Sequence, residues 1–157
     1  MITKIYEINN QNLDNIWISL ESEYFIKAKI VLIVGSAGSG KSKLLRTLLE
    51  IYRDGILINF GLELSKKLIE NKNIDFYDAV NEILGDYIKV YLDNVEILSD
   101  PYINKDPIGE LLNIAKTRQV VATLTGEINK DILYYLRDRR FPIKDLKDSI
   151  IINIKEG

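Results

Sequence analysis

Lys29-Ile-Val-Leu-Ile-Val-Gly-Ser-Ala-Gly-Ser-Gly-Lys-Ser42 is the stretch that decides the fold of this chain. Ile30 to Val34 are apolar without alternation, and such a run suits a strand covered on both faces, as in parallel sheets. Gly35 to Ser42 then fit G-x-x-x-x-G-K-[ST] at every position. Glycines at 35, 38 and 40 let the backbone take conformations that a side chain would block, so that consecutive N–H groups converge on an anion. Behind them Leu44, Leu45, Leu48, Leu49 and Ile51 follow helical spacing, and the positive end of that helix adds field at the same point. The spacing therefore predicts a loop, Gly35, Ser36, Ala37, Gly38, Ser39, Gly40, Lys41 and Ser42, that cradles the phosphates of a nucleoside triphosphate. Lys41 would reach the β- and γ-phosphates and the Ser42 hydroxyl would ligate Mg²⁺.

Outward from this loop, strand and helix patterns alternate. Apolar runs at Gly55–Phe60, Tyr87–Asp93, Gln119–Thr125 and Ser149–Ile154 read as strands. Glu63–Glu70, Ile74–Gly85 and Pro107–Lys116 read as helices, the last with proline in its first turn. A short helix is expected at Lys130–Arg137. Ahead of the loop, Leu13, Ile16, Trp17, Leu20 and Tyr24 predict an amphipathic helix over Gln11–Phe25. Alternation of this kind implies right-handed crossovers and an α/β, three-layer fold around a five-stranded parallel sheet. The expectation is one domain over residues 1–157, with 1–27 as an N-terminal strand and helix packed on the core.

Composition narrows the chemistry. With no histidine and no cysteine, Ser-His-Asp and Cys-His catalysis, disulfides and thiolate metal sites are excluded. An acid–base catalyst must then be a carboxylate, a lysine or a tyrosine. A net charge of −2 gives no bulk attraction to nucleic acid, although a local basic patch could still meet DNA. Met1 to Asn10 contain no apolar leader-like run, and no apolar stretch is long enough to span a membrane, so a cytoplasmic location is expected.

Asp93 closes the third strand, and in open parallel sheets ligands sit at that end. It is the candidate second acid, holding Mg²⁺ together with Ser42. Asn94 stands where many ATPases carry a glutamate that orients the attacking water, which leaves Glu96, or Glu63 after the second strand, as replacements. Thr123 and Thr125, two apart and hence on one strand face, are candidates for contact with the γ-phosphate or the water. Arg137, Arg139 and Arg140 form a basic cluster before the last strand. Arg139 and Arg140 are candidate fingers reaching a neighbouring subunit's phosphate, or candidate contacts to nucleic-acid phosphate. The alternative is a solvated helix end, and Arg118 is a further candidate.

These features resemble an AAA-type ATPase core, and four stretches resemble more closely the BrxF family, small P-loop ATPases of type III BREX phage-defence systems. The stretches are the loop itself, Leu57 to Lys66, Leu92 to Leu98 leading through Asp100-Pro101 to Lys105-Asp106-Pro107, and Arg139-Arg140-Phe141-Pro142. The resemblance implies strand order 5-1-4-3-2, ATP as the nucleotide, and Lys41, Ser42, Asp93, Asn94 and Glu96 as its site; the expectation departs from full AAA proteins in being a minimal core without a C-terminal helical lid. It also implies a nucleotide-dependent homo-oligomer, ring or filament, acting with other BREX proteins. A small-molecule kinase and a nucleotide switch without turnover are the competing functions.

Overall fold

The computed structural model describes residues 3–10 and 22–156. In chain order the elements are β1 (Lys4–Asn9), α1 (Ser22–Lys27), β2 (Ile30–Gly35), α2 (Lys41–Tyr52), β3 (Ile56–Asn59), α3 (Phe60–Glu70), α4 (Phe76–Leu84) and β4 (Lys89–Asp93). A 3-10 turn, Val95–Ser99, leads to α5 (Pro107–Ile114). Then come β5 (Gln119–Asn129), β6 (Ile132–Tyr135), β7 (Arg139–Pro142) and β8 (Ser149–Lys155). The amphipathic helix expected at Gln11–Phe25 lies, up to its last turn, outside the described residues.

The sheet runs β1-β8-β2-β5-β4-β3, and every pairing along this path is parallel. β2 is central and buried along its whole length, as its unbroken apolar run requires. Its odd and even residues feed two cores. Val31 and Ile33 pack with Tyr91, Val121, Ile150 and Ile152 under Phe25 of α1 and Leu44, Leu45 and Leu48 of α2. Ile30, Leu32 and Val34 pack with Val90, Leu92 and Ala122 under Leu64 of α3, Val80 of α4 and Leu111 of α5. The result is three layers with the sheet in the middle.

Two sequence expectations are corrected. The sheet is eight-stranded and partly antiparallel, not a five-stranded parallel sheet. The five strands read from the sequence lie in it in the order β8-β2-β5-β4-β3; β1 extends it on the β8 edge, and β6 and β7 branch from β5. The second correction is at Lys130–Arg137, where the structure has a strand in place of the helix. β5 continues past Thr125 to Asn129, and there its burial changes from continuous to alternating. Lys130 and Asp131 both take left-handed backbone, at φ 51° and 63°, and form the two-residue turn that suits a twisted hairpin. Ile132 to Tyr135 return antiparallel, with Leu133 and Tyr135 buried in the core. Two aliphatic residues followed by two tyrosines suit a strand, and their burial alternates along it. Arg139 and Arg140 consequently sit on β7, not at a helix end. Among the described residues no helix is long and apolar enough to cross a membrane.

Candidate functional site

The C-terminal ends of β2 and β4 meet beside Thr123–Thr125 of β5, where the parallel pairing of β5 stops and parallel strands present their loops to a ligand. The loop after β2 takes its shape from two glycines: Gly38 at φ 75° and Gly40 at φ 102°, the latter capping α2. Gly35 is required for a different reason. A Cβ there would collide with the Ser39 hydroxyl and press on Ile154 at 3.3 Å. Ser39 is 3% exposed, and its Oγ has no hydrogen-bond partner among the described residues. The loop therefore folds over its own buried serine ahead of the helix N-terminus.

Lys41 folds back over this loop, its Nζ donating to the Ser36 carbonyl at 2.7 Å. Partial burial lowers its pKa, and the carboxylates of Glu96 and Asp93 oppose that shift. Those two acids are thus the charges that face the lysine. Ser36 donates its hydroxyl to the carboxylate of Glu156, just past β8.

Asp93 ends β4 with one oxygen engaged and one available. Oδ1 accepts from the Thr123 hydroxyl at 2.6 Å and from the Asn94 amide at 3.1 Å, whereas no bond to Oδ2 is recorded among the described residues. Thr123 is buried and belongs to the same strand face as Thr125. Thr125 contributes its backbone: its N–H donates to Glu96 Oε1 at 2.8 Å. That bond holds Glu96, on the 3-10 turn, against β5 at the last residue paired with β2.

Asn94 is in the left-handed region, at φ 60°. Its side-chain amide donates to Asn59 Oδ1 at 3.0 Å, and the same oxygen accepts from the Leu62 amide at 3.1 Å. Asn59, which sequence reasoning missed, therefore caps α3 and anchors Asn94 together. The available signal was an asparagine directly before a helical pattern, which is a preferred cap. Gly61 marks the same contact, since a Cβ there would stand 3.0 Å from the Asn94 carbonyl.

The site thus joins the loop Gly35–Ser42, Asp93, Asn94, Glu96, Thr123 and Thr125. Arg139 is directed elsewhere, with its guanidinium 3.8 Å from Asp106. Arg140 stands opposite Tyr134 on β7. Arg118 donates to the carbonyls of Gly85 and Tyr87 at the opposite end of the sheet, where β5 begins. Arg137, which sequence reasoning placed only in the basic cluster, lines an open cleft of about 890 Å³ with Ser36, Ala37, Glu96 and Thr125.

No protein-family profile and no curated protein matches the chain. Among solved structures it is similar to AMPPCP-bound DnaA from Aquifex aeolicus, at 18% identity and a TM-score of 0.48, over 92% of this chain and 43% of that one. It is also similar to PCH-2 from C. elegans, at 15% identity and a TM-score of 0.42, over 94% of this chain and 40% of that one. The chain spans about two fifths of the length of these two structures.

Proposed function

We propose that this chain binds a nucleoside triphosphate, ATP in our reading, with Mg²⁺ at the loop Gly35–Ser42. The observation that carries the proposal is the loop itself: two left-handed glycines between a buried strand and a helix N-terminus, with a lysine folded over them. Backbone N–H groups in that arrangement favour phosphate oxygens, and Lys41 supplies the compact charge.

The donor set suits Mg²⁺. Asp93 and Ser42 offer hard oxygens, and among the described residues no donor competes for Oδ2 of Asp93. Among the described residues no group of three or more acidic, histidine or cysteine side chains could hold a metal alone. A cation bound jointly by two protein oxygens, phosphate and water fits that composition. Its chemistry would be to neutralise phosphate charge; the chain's part is to fix Asp93 through Thr123.

Turnover rests on Glu96 in this reading. Asn94 carries an amide, which cannot accept the proton of an attacking water, and that amide is engaged with Asn59. Glu96 is a carboxylate held by the Thr125 N–H of β5 and lines the loop cleft. We read the protein as an ATPase acting as a nucleotide-dependent oligomer with BREX partners in phage defence. Support for that biology is the resemblance of four sequence stretches to the BrxF family. A switch without turnover is the alternative that the Asn94–Asn59 bond favours.

Lys41→Ala tests the central claim. At a nucleotide concentration 100 times Kd, the wild-type chain gains about 2.7 kcal/mol of stability, and the variant should gain none. An unchanged thermal shift in Lys41→Ala would sink the proposal. Glu96→Gln keeps an acceptor for Thr125 N–H, so it should retain binding and lose hydrolysis. Turnover at the wild-type rate in Glu96→Gln would favour a different base.

A further inference from the structure

The turn between β6 and β7 carries a cation with no assigned role. β6 pairs antiparallel with the end of β5, from Asn129 opposite Ile132 to Gly126 opposite Tyr135. The hairpin tip at Lys130 and Asp131 therefore points away from the sheet, and the chain leaves β6 back at the level of Gly126. That is one residue past Thr125. Residues 136–138 then reverse into β7, with Leu136 in the left-handed region at φ 57°. This path, not the helix end read from the sequence, brings Arg137 to the loop cleft.

The charges in that cleft differ in how they are occupied. Glu96 accepts from Thr125 N–H, Glu156 accepts from the Ser36 hydroxyl, and Lys155 pairs with Glu7 at 2.9 Å. Arg137 is exposed and makes no recorded hydrogen bond or ion pair among the described residues. A polyphosphate entering here would meet the carboxylates of Glu96, Glu127 and Glu156, and an unpaired cation on the same wall would add to Lys41 in offsetting them. A guanidinium offers the planar fork that fits two phosphate oxygens at once.

We propose that Arg137 binds the terminal phosphate of the triphosphate held by its own chain's loop, acting in cis. This rests on the nucleotide reading above and assigns to it the residue that separates a triphosphate from a diphosphate. It lines the same cleft as Glu96 and Thr125, where the reacting end would lie. Neither Arg139, whose guanidinium meets Asp106, nor Arg140, paired with Tyr134 across the hairpin, lines that cleft.

The test is a fluorescence titration of the full chain with a non-hydrolysable triphosphate and, separately, with the diphosphate. Arg137→Ala should weaken the triphosphate about tenfold or more, the scale of one lost charge-assisted contact, and leave the diphosphate within about twofold. Arg137→Lys should keep part of the preference, and Arg140→Ala all of it. Equal loss for both nucleotides, or no loss for either, overturns the assignment. So does recovery of triphosphate affinity when Arg137→Ala is mixed with Lys41→Ala, because complementation means the arginine acts on a neighbour. Unchanged affinity of Lys41→Ala alone for both nucleotides is a different failure: it removes the loop reading itself.

Discussion

The two ends of β4 carry the same kinds of group and use them in opposite ways. Lys89, Tyr91 and Asp93 alternate along the strand and so share the face toward α2. At the first end Lys89 is 4% exposed, paired to Asp54 at 2.5 Å and surrounded by the rings of Phe25, Tyr52 and Tyr91, the nearest centroid 4.4 Å away. Tyr91 donates to the other oxygen of Asp54 at 2.7 Å, and Phe25 stacks on Tyr52 at 4.1 Å. At the far end Asp93, Thr123 and Lys41 again bring an acid, a hydroxyl and a lysine together, but with a carboxylate oxygen left over and a lysine lying on the loop surface. Identical chemistry becomes structural when every group is paired and sealed by rings. It stays available to a ligand when glycines shape the backbone and the pairing is left incomplete.

That contrast can be broken most directly at Asp54. Asp54→Ala strands the Lys89 charge in an apolar box and should cost about 3–5 kcal/mol in chemical denaturation. Lys89→Met should cost clearly less, since Asp54 is 33% exposed and can turn to water. Equal costs for the two would show that the pair itself, not the stranded lysine, dominates. Next in size is Gly35→Ala, where the new Cβ meets the buried Ser39 side chain. Overpacking there should cost about 1–3 kcal/mol and, by shifting the loop, remove the nucleotide-dependent stabilisation. Gly35→Ala/Ser39→Gly should recover part of both.

Asp93→Asn should have the reverse profile of Asp54→Ala. Stability without nucleotide should stay within about 1 kcal/mol, because an amide oxygen can still accept from Thr123. The additional stabilisation by Mg²⁺ with nucleotide should disappear in calorimetry. The smallest effect concerns the hydroxyls. Burial, and then the Asp54 and Asp106 carboxylates, push Tyr91 and Tyr135 above the usual tyrosine range. The folded chain therefore keeps these protons longer than the unfolded chain. The resulting stability is fully present below about pH 10 and is lost as pH rises beyond it. Tyr91→Phe should cost about 1 kcal/mol at neutral pH and flatten that alkaline loss, read from melting temperatures across the range.

Legibility in the sequence followed the range of the physics. The loop, Asp93 and the Thr123–Thr125 face are set by local rules: glycine backbone freedom, a buried apolar run, and strand alternation. They could be read residue by residue. Glu96 was reachable as the next carboxylate after Asn94, but its bond to Thr125 joins residues 29 apart and belongs to the fold. The hairpin was misread because Ile132 to Tyr135 satisfy both a short helix and a strand. The contacts that decide between them are the pairing to β5 and the burial of Leu133 and Tyr135.

The sequence by itself determined the phosphate-loop motif, the alternation of strands and helices, and the exclusion of histidine and cysteine chemistry. Each depends on residue identity and on neighbours a few positions away. Only the tertiary structure decided that Lys89 is sealed while Asp93 is open, that Asn59 anchors Asn94, and that Arg137 lines a cleft with Ser36 and Ala37 while Arg139 meets Asp106. Those outcomes depend on which strands lie side by side and how far each one runs. Sheet pairing brings together residues with no local relation, and burial then sets whether a charge is satisfied or left available.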